Sequence, residues 1–185
     1  KLVGENRLQA LEAKADAAHD EGAKVHVIGP VQRNKAALAV KHADCVQTVD
    51  SLRLAERLSR LCLEAERNLD VMIQVNVSGE ETKSGVMPEE ALALASQVQR
   101  LDGLHVIGFM TIGLNSPDEA AVRAGYAQLR EIRDAALIGS ERGEYPLRDA
   151  WELSMGMSND LEWAVAEGAT MVRVGTAVMG ARDYA

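Results

Sequence analysis

The chain reads as an α/β protein of the (β/α) TIM-type barrel kind, on three observations. Short β-branched runs alternate with longer amphipathic stretches along its whole length, the pattern of repeated βα units. Several runs, such as Val71-Met72-Ile73 and Val25–Ile28, are continuously apolar, which suits parallel strands buried on both faces. Polar residues and glycines gather just after the strands, where barrel sites are built, and no Gly-rich dinucleotide fingerprint follows any of them. The last point favours a barrel over a doubly wound sheet.

The strands expected are Leu2–Glu5, Lys24–Ile28, Cys45–Val49, Val71–Val77, His105–Met110, Trp151–Ser154 and Met171–Val174. Helical periodicity fills the intervals. Leu8, Leu11, Ala15 and Ala18 share a face, and Gly22 supplies the stop. Leu54, Leu58, Leu61 and Ala65 repeat with the helical period, and Pro88 opens a helix carrying Leu94, Val98 and Leu101. Ser116 and Glu119 form a capping box, with Pro117 in the first turn. Val122, Tyr126, Leu129, Ile132 and Ala136 make the buried stripe, which Gly139 is expected to end. Seven of the eight strands of a barrel are visible, and a complete one has about 250 residues. Because the chain starts at Lys1, the absent βα unit is expected to be the first. Residues 1–185 would then form one N-terminally incomplete barrel domain.

Composition narrows the function classes. Of 185 residues 47% are hydrophobic, enough for one core, and a net charge of −8 argues against nucleic-acid or anionic-membrane partners. No run approaches the ~18 apolar residues of a membrane span. Cys45 and Cys62 lie in apolar runs and are expected as buried thiols of a cytoplasmic protein. His19, His26, His42 and His105 lack metal-ligand spacing, so no metal site is expected. Neither a nucleophile elbow nor a P-loop occurs.

Two segments carry the chemistry. In Trp151–Asp160 a strand ends in a glycine turn, and Ser158, Asn159 and Asp160 offer N-cap chemistry to a helix bearing Leu161, Ala164 and Val165. Phosphate fits such a helix start, although a capped helix without a ligand would account for the same residues. In Val172-Arg173-Val174-Gly175-Thr176 an arginine lies inside the last strand, on the side of Met171 and Gly175. Such a guanidinium must find an anion, a carbonyl or an acceptor nitrogen, so an internal Arg–carboxylate pair is the competing reading. Gly175 lets a ligand approach the backbone, and Thr176 adds a hydroxyl. Barrels often hold phosphate after strands seven and eight, where both segments fall. Asn6, Ile28–Lys35 and Gln74–Asn76 are further polar strand exits, and Glu81–Gly85 reads as a solvated loop.

These pieces occur in a telling order. Gly4-Glu5-Asn6-Arg7, Ile28-Gly29 followed by Gln32, Asn34 and Lys35, Gln74-Val75-Asn76, Lys83-Ser84-Gly85, Ser154–Asp160, Val172–Gly175 and Gly180–Tyr184 together resemble the pyridoxal phosphate (PLP) homeostasis protein family. That family has the fold of the alanine racemase N-terminal barrel, with PLP at the C-terminal mouth. The resemblance implies that Ser158, the turn amides near Met155 and Gly156, and Gly175 with Thr176 hold the phosphate. It places Arg173 against the pyridine nitrogen and Asn6 close by. The family's Schiff-base lysine lies on a strand ahead of Gly4-Glu5-Asn6, and none of Lys1, Lys14, Lys24, Lys35, Lys41 and Lys83 matches it. The implied function is buffering and delivery of PLP in the cytoplasm, without turnover, by a monomer whose recipients would be PLP-dependent apoenzymes. The alternatives are a PLP-dependent racemase or lyase of the same fold, and a PLP-free barrel for another phosphorylated metabolite. Racemases add a C-terminal β domain with a second catalytic base, whereas this chain stops at Ala185, just past the last strand.

Overall fold

In the computed structural model, which describes residues 1–80, 83–175 and 180, seven parallel strands pair in chain order. They are β1 Leu2–Glu5, β2 Lys24–Val27, β3 Cys45–Val49, β4 Leu69–Gln74, β5 Leu104–Met110, β6 Glu152–Met157 and β7 Met171–Arg173. β1 and β7 are the two ends of this nearly closed barrel. The crossovers are α1 Leu8–Asp20, α2 Ala36–His42, α3 Leu52–Glu64, α4 Ala91–Val98, α5 Glu119–Glu141 and α6 Leu161–Ala166. Short 3-10 turns, Arg33–Lys35 and Pro88–Glu90, lead into α2 and α4.

Side-chain alternation along the strands divides the interior in two. One face of the sheet contributes Val25, Val27, Val46, Val71, Ile73, Val106, Phe109, Leu153 and Met155 to the main core. There they meet Leu11, Leu58, Tyr126 and Leu129 of the helices. Residues of the opposite phase form a separate small cluster, Cys45, Met72 and Met110, inside the barrel. Both cysteines are free and buried, as their apolar settings imply, and burial pushes the Cys45 thiol well above its ordinary range.

The N-terminal strand ends are tied by partly exposed contacts between histidines and carboxylates. His105 bridges Asp70 at 3.0 Å and Asp149 at 3.2 Å, and Asp44 accepts from His19 and from the Val25 amide.

Several expectations need correction. Asp118, not Ser116, caps α5: its Oδ1 accepts from the Ala120 and Ala121 amides at 3.0 and 3.3 Å. Ser116 Oγ instead accepts from the Asp118 amide, and Pro117 precedes the cap. Gly139 does not end this helix but sits buried within it. A Cβ there would lie 2.4 Å from the Tyr145 ring, so the glycine makes room for packing and α5 runs on to Glu141. Helix α2 has no counterpart among the expected elements. Its seven residues are too few for a convincing periodic signal, although Ala36, Ala39 and Val40 are buried. β6 continues to Met157 through a register shift after Ser154, because the bulge keeps the extra residues paired with β7.

Candidate functional site

Four of the strands send polar side chains into the barrel, and these join into one chain of hydrogen bonds. Gln47 lies at the third position of β3, between the outward-facing Val46 and Thr48. Its Nε2 approaches His26 Nδ1 on β2 at 2.9 Å. Ser154 on β6 donates to Gln47 Oε1 at 2.6 Å. Arg173 on β7 donates to Ser154 Oγ at 2.9 Å through Nη1, and to the Thr111 carbonyl at 2.6 Å through Nη2. With the Gln47 amide donating to Nδ1, His26 carries its ring proton on Nε2. Burial pulls His26 below the ordinary imidazole value against Asp44 and Asp70, which keeps it neutral in this role.

Arg173 is the centre of this arrangement. It is half-buried, and among the described residues no carboxylate lies within 4 Å of it. The internal Arg–carboxylate pair is therefore not formed there. Burial draws its pKa down, while Tyr126 and Asp160 act the other way, and the guanidinium stays charged. Among the described residues two of its five N–H donors are used, so an acceptor approaching from the mouth meets donors without a partner there, held by two fixed contacts.

Beside it stands the turn between β6 and α6. Gly156 has φ of +89°, and a Cβ there would come 2.4 Å from Ala164 Cβ, so only glycine lets the turn close on α6. Asp160 is the N-cap residue, in place of a shared Ser158, Asn159 and Asp160 cap. Its carboxylate turns back instead, accepting from the Met157 amide at 2.6 Å and from the Tyr126 hydroxyl at 2.7 Å. Burial and Asp160 together push the Tyr126 phenol far above its ordinary range, so it remains a donor. The Ser158 and Asn159 amides have no acceptor among the described residues.

Met157 pairs with Arg173 across β6 and β7, so the loops bearing Ser158 and Gly175 leave neighbouring strands at the same end. Gly175 is exposed, and among the described residues a Cβ there would meet nothing within 4 Å, so its backbone is open to a ligand from their side. Met155 is wholly buried in the outer core. Thr176 lies outside the described residues. Asn6, exposed at the end of β1, packs on Gly29 after β2, whose carbonyl accepts from Thr48 Oγ1 at 2.8 Å. Of the expected Glu81–Gly85 loop, Glu81 and Thr82 lie outside the described residues; on either side of them Gln74 Nε2 donates to the Ser84 carbonyl and Asn76 Nδ2 to that of Glu80.

Reading the sequence alone missed His26, Gln47, Thr111 and the pairing of Tyr126 with Asp160. A signal existed for two of them. His26 and Gln47 are polar residues next to β-branched neighbours in mainly apolar strands, in the phase opposite to the outward valines.

Comparison with known proteins completes the description. The alanine racemase N-terminal domain family matches residues 3–183. A pyridoxal phosphate homeostasis protein of Pseudomonas aeruginosa is 43% identical over 181 residues, which is 98% of this chain and 74% of that protein. Its namesake in Escherichia coli is 42% identical over 164 residues, 88% of this chain and 67% of that protein. Among solved structures, PipY of Synechococcus elongatus with PLP bound superposes with a TM-score of 0.81 at 37% identity, covering 96% of this chain and 80% of that one. An alanine racemase of Clostridium difficile, 14% identical, shares the fold with a TM-score of 0.75 over 98% of this chain and 48% of its own.

Proposed function

The chain belongs to the pyridoxal phosphate homeostasis protein family, on the alanine racemase N-terminal barrel fold, and from this we propose that it binds PLP at the mouth formed by β6 and β7. The observation that carries the reading is Arg173: a half-buried guanidinium with free donors and no carboxylate partner among the described residues. The donor set fits PLP. A cation-borne N–H suits the unprotonated ring nitrogen, and the Ser158 and Asn159 amides with the open backbone at Gly175 suit a phosphate. In this reading Arg173 meets the ring, while Ser158, the Met155–Gly156 turn, Gly175 and Thr176 cradle the phosphate and Asn6 borders the cofactor.

When bound, PLP supplies an electron sink whose strength depends on its ring nitrogen. Arg173 cannot give up its proton cheaply, so it donates to that nitrogen and leaves it unprotonated. The sink is then weak, which favours carriage of the cofactor over turnover. We read the protein accordingly as a monomeric cytoplasmic reserve that passes PLP to PLP-dependent apoenzymes. Among the described residues no helix is long and apolar enough to cross a membrane.

Titration with PLP, followed by the cofactor's absorbance, tests the assignment in the wild type and in Arg173→Ala. Removing one charge-assisted hydrogen bond of about 1.5–3 kcal/mol should weaken binding about ten- to a hundredfold. Unchanged affinity would remove Arg173 from the site, and amino-acid racemisation at enzymatic rates would overturn the carrier role.

A further inference from the structure

A second concavity, on the rim of the barrel, has no part in the PLP reading. It lies between the 3-10 turn Arg33–Lys35, which follows β2, and α3, which follows β3, so it opens at the same end of the barrel as the mouth. Its volume is about 680 Å3, and Arg33, Asn34, Arg53, Glu56, Arg57 and Arg60 line it. Four guanidiniums face one carboxylate in a chain whose net charge is −8.

Folding does not call for this arrangement. Among the described residues Arg33, Arg53 and Arg57 have no carboxylate within 4 Å, and Arg60 reaches only Glu64 of its own helix, at 3.8 Å. Arg53 and Arg57 stand one helical turn apart, a spacing at which like charges destabilise a helix by about 0.2–0.5 kcal/mol. Arg53 also lies in the first turn of α3, where the helix dipole repels cations. The opposite face of α3 is anchored by buried Leu54, Leu58 and Cys62, so the arginine face is held in place, with Arg53 and Arg60 exposed and Arg57 half-buried. A row of cations that costs stability and, among the described residues, makes one long ion pair within its own helix points to an external anion.

We propose that this cleft binds a linked polyphosphate group, two or more phosphates in sequence as in a nucleoside di- or triphosphate. Arginine forks grip phosphate oxygens bidentately, and the row from Arg53 to Arg60 spans about 10 Å of helix at about 1.5 Å per residue. That is longer than one phosphate, whereas a chain of phosphates can engage Arg53, Arg57 and Arg60 in turn. Arg33 and Asn34 close the other wall, and Glu56 sets a limit on how much anionic charge the centre accepts. The lining holds no aromatic side chain on which bases could stack, and the overall charge opposes a nucleic-acid strand.

Calorimetric titration with inorganic tripolyphosphate and pyrophosphate, at physiological ionic strength and with and without saturating PLP, tests the assignment. The expected result is saturable one-to-one binding by the wild type, with orthophosphate at least tenfold weaker. Arg53→Gln/Arg57→Gln should weaken tripolyphosphate at least tenfold, and Arg53→Lys/Arg57→Lys by less, because charge is kept and the fork is lost. Arg173→Ala should leave it unchanged. Absence of saturation, equal affinity in the Gln variant, or loss through Arg173→Ala would each overturn the proposal. The Gln variant removes two mutually repelling charges, exposed Arg53 and half-buried Arg57, and circular dichroism confirms its fold. A failure of PLP to bind would refute the mouth assignment and leave this test intact.

Discussion

Replacing Ser154 by alanine probes the interior hydrogen-bond chain at its middle link. The hydroxyl is fully buried, accepts from Arg173 Nη1 at 2.9 Å and donates to Gln47 Oε1 at 2.6 Å. Removing it leaves a guanidinium N–H and an amide carbonyl inside the barrel with no partner. A hydrogen bond to a charged group contributes about 1.5–3 kcal/mol and a neutral one about 1 kcal/mol, so the expected loss is about 2.5–4 kcal/mol. For a chain of this length that lowers the melting temperature by about 5–15 °C, at roughly 2–4 °C per kcal/mol. Urea unfolding of the wild type and Ser154→Ala measures it, with an unchanged denaturant slope as the check on the comparison. Adding Gln47→Leu removes the other end of the neutral bond. The double variant should therefore be more stable than the sum of the singles predicts, by roughly 1 kcal/mol. A loss below about 0.5 kcal/mol, or strict additivity in the double variant, would refute the view that these contacts hold Arg173.

Two other perturbations test separate parts of the fold. His105→Asn removes the bridge between Asp70 and Asp149. Burial lowers the His105 pKa, but the two carboxylates outweigh it and the folded value lies above the ordinary 6.5. A raised value means that the bridge stabilises fully below the unfolded pKa and loses that contribution as pH climbs through the folded one. The variant should thus trail the wild type by up to about 1 kcal/mol near pH 5.5, the partly exposed pairs being screened, and match it at pH 9. A gap that widens with pH in chemical denaturation would contradict the assignment. Gly156→Ala forces a side chain into a φ of +89° and against Ala164. It should cost about 2–4 kcal/mol in unfolding and weaken PLP binding together, since in the proposed site the same turn serves both. Stability lost with PLP affinity intact would separate the turn from the site.

Much of the fold was legible because strand and helix periods differ. All seven strands appear within a few residues of where apolar runs place them, as Cys45–Val49 does without a shift. Helix boundaries were less so. The cap of α5 depends on which of two neighbouring side-chain oxygens reaches the free amides, and spacing alone could not tell Ser116 from Asp118. Gly139 illustrates a different limit. Its residue type suggests a helix end, but the structure uses it to admit Tyr145, a contact between segments that local pattern does not encode. Arg173 stood out because a cation in an apolar strand violates the strand's own logic. Ser154 lay in a noted segment, yet its role depends on Gln47, a residue 107 positions away. Such a long-range hydrogen bond becomes visible only when strands β3 and β6 face each other across the barrel.

In the proposed site the PLP ring nitrogen beside Arg173 stays unprotonated. Nitrogen NMR of the protein saturated with ring-15N-labelled PLP reads that state directly. With Arg173 donating, the nitrogen should keep the shift of an unprotonated, hydrogen-bonded pyridine across the range in which free PLP acquires its ring proton, and should lose that protection in Arg173→Ala. A pyridinium shift in the wild type, or the same shift in both proteins, would contradict the account.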